Sequence, residues 1–237
     1  MKKNTIHEAW KKLNPAGQKL ILREYLSRIV MLLMLFLISG NWGWMGAWIV
    51  IFFATLSVIL IHWFVVRPNP ALYNERGTKH NNTKSWDTLL LPLYSLFGYL
   101  ILITAAVDER FQRSALPTWW MGVGVLFMSL ACLLTTTAMY SNPFFSSTVR
   151  IQSERGQTVV DRGPYKIVRH PGYLGGISFY LACGFLLNSS WAFIPVGLTI
   201  FILCIRAGLE DNTLQKELPG YQEYSQRVHF RLFPGIW

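Results

Sequence analysis

Charge is scarce in this sequence. Lys, Arg, Asp and Glu make up 14% of its 237 residues, against about 25% in an average soluble domain. The deficit falls in long uncharged runs, while hydrophobic residues reach 52% and aromatics 15%. That pattern excludes a large water-soluble core and points to membrane spans. Cysteine is equally sparse. Cys132, Cys183 and Cys204 all lie inside apolar runs, with no CxxC pair and no His/Cys spacing suited to zinc, so the three read as small buried hydrophobes, and neither a disulfide framework nor a metal is expected. A strand followed by GxGxxG is missing, since Gly122-Val-Gly124 sits within an apolar run; no soluble nucleotide-binding fold competes. The N-terminus lacks a short apolar core followed by a small-residue cleavage site, so no removable signal peptide is expected. Repeats and low-complexity linkers are absent too. We therefore expect one membrane domain over 1–237, with an interfacial segment in 1–25, four spans in 26–140 and a C-terminal core in 141–237.

The class that follows is an all-α polytopic membrane bundle of about six spans. In residues 1–25, Lys2, Lys3, Lys11, Lys12, Lys19 and Arg23 surround Trp10, Leu13, Leu20, Ile21 and Leu22, and Pro15 splits the segment into two short helical pieces. Such a segment lies on a membrane surface with its apolar side chains dipping in. Leu26–Ser39 is too short to span alone and must borrow from its flanks. Trp44–Val66, Thr88–Val107 and Pro117–Tyr140 follow, the last opened by Trp119-Trp120 as an interfacial anchor; Trp86 and Asp87 read as a similar anchor. Tyr173–Leu187 and Trp191–Leu209, joined by Asn188-Ser189-Ser190, form a tight helical hairpin. Its first arm carries Gly172, Gly175, Gly176 and Gly184, which lets backbones or a ligand come close. His62, near the end of its span, reads as a buried hydrogen-bonding side chain.

Basic residues give the orientation. Seven lie in residues 1–28, four in 67–87, five in 141–172 and four in 206–237, against only Arg110 and Arg113 in the alternate loops. By the positive-inside rule both termini and both large polar loops are cytoplasmic, and the chain reads as a multi-pass integral membrane protein, of the plasma (inner) membrane if the cell is prokaryotic. The net charge of +10 forms no continuous patch or RNA-binding signature, so nucleic acid is not an expected partner; membrane lipids are.

Two polar clusters share that cytoplasmic face. The first, in Val149–Gly175, holds Gln152, Glu154, Arg155, Asp161, Arg162, Tyr165, Arg169, His170 and Tyr173 between the turns Gly163-Pro164 and Pro171-Gly172. Free backbone N–H groups at the helix start after His170 would suit a carboxylate or phosphate, although the loop could equally serve only to fix topology. The second closes the last span with Arg206 and Glu210, four residues apart and on one helical face. An arginine inside an apolar run is costly and is kept for function or for pairing within the bundle. Together the clusters suggest a polar cofactor beside an opening for a lipid-like substrate.

The residues Gly163-Pro164-Tyr165, Arg169-His170-Pro171-Gly172-Tyr173 with Gly175, Arg206-x-x-x-Glu210-Asp211-x-x-Leu214, Gly220-Tyr221-x-x-Tyr224-x-x-x-Val228 and Arg231-Leu232-x-Pro234 carry a pattern. Over roughly the last 90 residues the chain resembles the isoprenylcysteine carboxyl methyltransferase and phospholipid methyltransferase superfamily of integral membrane enzymes. The resemblance implies S-adenosylmethionine as methyl donor and a lipophilic or lipid-modified acceptor, a carboxylate foremost, with residues 141–237 as the cofactor-binding core. It places Gln152, Gln157, Thr158, Val159 and Val160 along the cofactor cleft. Tyr165, His170, Pro171, Gly172 and Tyr173 hold the cofactor further along, Glu210 contacts it, and Arg206 faces the substrate, so that Arg206 and Glu210 carry the transfer. Where the family often has two glutamates this chain has Glu210-Asp211, and Leu218-Pro219-Gly220 replaces a common phenylalanine-glycine pair.

Two other readings stand beside this one. The ending Val228-His-Phe-Arg-Leu-Phe-Pro-Gly-Ile-Trp237 also resembles the C-termini of sterol reductases, which use a nicotinamide cofactor. A non-catalytic transporter or assembly factor would share the spans but bind neither cofactor. Relatives of this architecture also methylate amines and thiols.

Overall fold

The computed structural model describes residues 6–237, and among these the regular elements are all helical. They are α1 (Ile6–Lys11), α2 (Pro15–Ser39), α3 (Met45–Ile61, continued by a π-helical turn His62–Val66), α4 (Pro70–Gly77), α5 (Ser85–Phe111), α6 (Trp120–Ser141), α7 (Pro171–Leu186), α8 (Phe193–Glu217) and α9 (Tyr221–Arg227). Lys2 and Lys3 lie outside the described residues.

Local sequence explains most boundaries. Asn14 caps α2 by accepting the Gly17 amide at 2.8 Å, Pro15 opens the helix, and Gly40 closes it in the left-handed conformation at φ 69°. Pro15 does split the N-terminal segment, but residues 15–25 are not a separate surface piece. They are the first turns of α2, which supplies the flank that the Leu26–Ser39 run needed. Among the described residues four helices are long and apolar enough to cross a membrane: Met45–Val66, Ser85–Phe111, Trp120–Ser141 and Phe193–Glu217. The six expected spans are thus met by four on length and composition. Helix α7 is shorter at 16 residues, and α2 carries Lys19, Arg23, Glu24 and Arg28.

Helices α2, α3, α5, α6, α7 and α8 share one apolar core around Leu35, Phe36, Val50, Ile101, Met128, Leu186 and Val196. Leu96, Leu126, Leu133 and Phe201 point outward and are exposed, a surface suited to lipid. Small residues bring backbones together, as helix contact in lipid requires. A Cβ on Gly46 would strike the Leu186 carbonyl, and one on Gly175 would come within 2.6 Å of Thr135 Oγ1.

The polar connections gather at two opposite ends. At one, the Asn14 amide donates to Asn74 Oδ1 (2.8 Å), Lys84 pairs with Glu217 (2.6 Å), Glu75 pairs with Arg150, and the Arg169 amide donates to the Phe230 carbonyl (2.9 Å). At the other, Asn41 donates to Glu109 (2.8 Å), the Leu116 amide to Asn188 (2.8 Å) and Ser189 to buried Asp108 (2.5 Å), which pins the α7–α8 turn. The lysine- and arginine-rich segments all meet at the first end. His62 is a hydrogen-bonding side chain, held by Glu24 (3.0 Å) and Tyr25 (3.2 Å).

Candidate functional site

Residues 142–170 fold across the polar end as an irregular loop. Glycine supplies two of its turns, Gly156 at φ 61° and Gly163 at φ 59°. Gln152 buttresses it: its amide donates to Gln157 Oε1 (2.7 Å) and its side chain to the Phe144 carbonyl (2.7 Å). The C-terminal segment straps back under α7, with the His170 amide donating to the Arg231 carbonyl (2.9 Å). The helix-start amides are therefore largely spent. Those of Tyr173 and Leu174 donate to the His170 carbonyl and Pro171 has none, so at most Gly172 offers a free one, and the expected anion site on these amides is not formed.

Asp211 is the knot of this region. It is fully buried and receives Tyr221 Oη (2.9 Å), Gln215 Nε2 (2.8 Å) and Arg231 Nε (2.9 Å), with Arg169 Nε at 3.2 Å and His170 Nε2 at 3.3 Å. It ties α8 to α9, to the start of α7 and to the C-terminal strap. Adjacent residues on a helix point about 100° apart, so Glu210 faces the other way, into a cavity of about 320 Å³. There it accepts the Tyr173 hydroxyl at 2.7 Å, and it has no cationic partner within 4.0 Å among the described residues.

Arg206, one turn earlier, is also buried. It does not pair with Glu210. Its Nε donates to Asp87 Oδ1 at 2.7 Å, its Nη2 reaches the Ser147 carbonyl at 3.4 Å, and its guanidinium lies 5.4 Å from the Tyr173 ring centroid. Asp87, wholly buried in the first turn of α5, also receives the Val149 amide at 2.8 Å. The reading of Asp87 as an interfacial anchor is therefore corrected: this carboxylate holds both the arginine and the loop. A lone acid at the head of an apolar run was the signal that could have found it.

The cavity gathers the expected residues. Gln152, Gln157, Thr158, Val159, Val160, Tyr165, His170, Gly172, Tyr173, Arg206 and Glu210 all line it, and Pro171 does not. Pro171 is buried at the α7 start, where its fixed φ sets the turn. Leu91, Tyr94, Phe144, Phe145, Leu203, Leu214 and Tyr224 add an apolar wall that was not foreseen. Tyr165 receives Asn142 Nδ2 on its hydroxyl (3.2 Å), and its carbonyl receives Tyr224 Oη (2.7 Å). Burial pushes both phenols above their ordinary pKa, so they stay neutral.

Residues 122–216 match the model of the isoprenylcysteine carboxyl methyltransferase family. The likeness to that family is confined to this segment, less than half of the chain. The family segment runs from α6 through the loop and α7 to the end of α8, so it contains every expected site residue. It begins earlier than the resemblance drawn from the motifs and stops before α9. A stretch of 101 residues is also 31% identical to the Delta(14)-sterol reductase of Mus musculus, covering 41% of this chain and 24% of that protein. The matched stretch thus spans about a quarter of that relative.

The residues present suit S-adenosylmethionine. A cavity of about 320 Å³ lies within the usual range for small-molecule sites, about 300–1,000 Å³. Glu210, held by a neutral phenol, offers negative charge to a cationic ligand. Phe144 and Phe145 offer apolar surface, and Thr158 and Gln157 offer polar groups.

Proposed function

We propose that this protein is a membrane methyltransferase that moves a methyl group from S-adenosylmethionine to a lipophilic or lipid-modified acceptor, a carboxylate foremost. The observation that carries the proposal is Glu210: a carboxylate without a cationic partner, in the family segment, on a cavity lined by nearly every residue expected to hold the cofactor. When bound, the cofactor supplies a methyl group activated by a sulfonium. Glu210 holds its ammonium, oriented by Tyr173. Gln157 to Val160, Tyr165 and His170 form the wall that fixes the rest of it. Arg206, fixed by Asp87, faces the acceptor. A carboxylate acceptor is already nucleophilic near neutral pH, so catalysis consists of alignment in a dry site and requires no base.

In this reading the whole chain acts as one membrane domain with residues 141–237 as the cofactor core. Helices α2, α3, α5, α6, α7 and α8 cross the membrane, and the polar end, with both termini, lies on the cytoplasmic side, where the cofactor is made. For a prokaryotic cell that membrane is the inner one. The charge asymmetry supports this orientation.

The likeness to a sterol reductase favours a second reading, an NADPH-dependent reductase. Thermal unfolding of the detergent-purified protein separates the two. Stabilisation by S-adenosylmethionine and not by NADPH is expected, and the reverse would overturn the proposal.

A further inference from the structure

A second chamber of about 230 Å³ adjoins the first. The two share Arg76, Leu91 and the Ser146–Thr148 strand of the loop, and Arg76 is the one charged residue common to both linings. It stands in the last turn of α4 with its guanidinium 5.2 Å from the Phe145 ring centroid. Its Nε and Nη1 are shut away from solvent with no hydrogen-bond partner.

Every nearby carboxylate is already engaged. Glu75 pairs with Arg150 and with His80 (2.9 Å). Asp87 pairs with Arg206 (2.7 Å). Glu24 accepts Tyr73 (3.0 Å) and lies 3.0 Å from His62. Glu210 accepts Tyr173. Arg76 has no ion-pair partner within 4.0 Å among the described residues, and Lys79 adds a further positive charge to the smaller chamber. A half-buried guanidinium whose Nε and Nη1 are idle carries a desolvation cost that an anion would offset. The π-face of Phe145 compensates only in part.

We propose that Arg76 receives the carboxylate of the lipophilic acceptor at the partition between the two chambers. This rests on the methyltransferase reading above. Arg206 is neutralised by Asp87, so Arg76 supplies the net charge that selects an acid. Transfer forms a bond between a carboxylate oxygen and the methyl carbon while the carbon–sulfur bond breaks and its electron pair returns to sulfur. An anion and a sulfonium become a neutral ester and a neutral thioether. The product no longer matches Arg76, so the contact that admits the acid releases the ester.

The test measures binding of N-acetyl-S-farnesylcysteine and of its methyl ester to the full chain in detergent, with calorimetry of S-adenosylmethionine alongside. Wild type should prefer the acid by about ten- to a hundredfold, the usual worth of a hydrogen bond to a charged group. Arg76→Gln should abolish the preference, Arg76→Lys should restore part of it, and cofactor affinity should stay unchanged in both. Equal binding of acid and ester by wild type overturns the proposal whether or not the variants fold. So does a preference that survives in Arg76→Gln, or a matching loss of cofactor affinity, which would assign Arg76 to the cofactor. Failure of the underlying reading looks different: wild type would then bind no S-adenosylmethionine.

Discussion

Replacing Asp87 with asparagine should uncouple the two halves of the site. The change keeps the shape and an oxygen for the Val149 amide, but it removes the charge that Arg206 Nε meets at 2.7 Å. An amide cannot balance a guanidinium, and Arg206 is only 6% exposed, so water does not screen the loss. Breaking a buried pair from one side costs about 3–5 kcal/mol. Removing both partners with apolar residues of similar volume, Asp87→Leu with Arg206→Met, should recover part of that stability, because the double variant leaves no orphaned charge although the Val149 amide loses its acceptor. Thermal unfolding in detergent of the two singles and the double completes the cycle. A coupling of at least about 2 kcal/mol is expected. Simple additivity would refute the claim that α5 and α8 are joined by this pair, and an inactive but stably folded double variant would separate the need for Arg206 in turnover from its part in folding.

Three further changes probe the remaining parts. Glu210→Gln should weaken S-adenosylmethionine by about 1–3 kcal/mol, the worth of a charged hydrogen-bonding group, while leaving the melting temperature near wild type; unchanged affinity by calorimetry would remove Glu210 from the cofactor site. Asp211→Asn should do the opposite, destabilising the fold by about 3 kcal/mol or more because this wholly buried acid gathers α7, α8, α9 and the C-terminal strap. An unaltered unfolding curve would contradict that. Gly175→Ala should cost about 1–3 kcal/mol by overpacking against Thr135, whereas Gly122→Ala, which meets open space, should gain up to about 1 kcal/mol from helix propensity. Equal melting temperatures for the two would show that the α6–α7 contact is not tight.

Local signals in the sequence located the helices well. Pro15 and Gly40 bound α2, Pro171 opens α7, and the Asn188–Ser190 turn separates α7 from α8, because proline, glycine and asparagine act through their own backbone preferences. The C-terminal motifs named eleven residues of the cavity lining, all within one family segment, but not its apolar wall. What escaped were contacts between distant segments. Asp87 and Arg206 stand 119 residues apart, and no periodicity connects them. Arg76 looked like one of several topology-setting charges until the fold enclosed it beside Phe145. The motifs gave Glu210 to the cofactor and left Asp211 without a role; the helical step between them turns one into the cavity and the other into the scaffold. The free amides expected after His170 were lost to a strap formed by Phe230 and Arg231, which only a tertiary fold can supply.

The most direct measurement is transfer of a labelled methyl group from S-adenosylmethionine by membranes containing the protein, followed by separation of lipid-extractable from water-soluble product. Label in a base-labile, lipid-extractable ester is expected with wild type and absent with Glu210→Gln at limiting cofactor. No transfer by a protein that binds and is stabilised by NADPH would contradict the account.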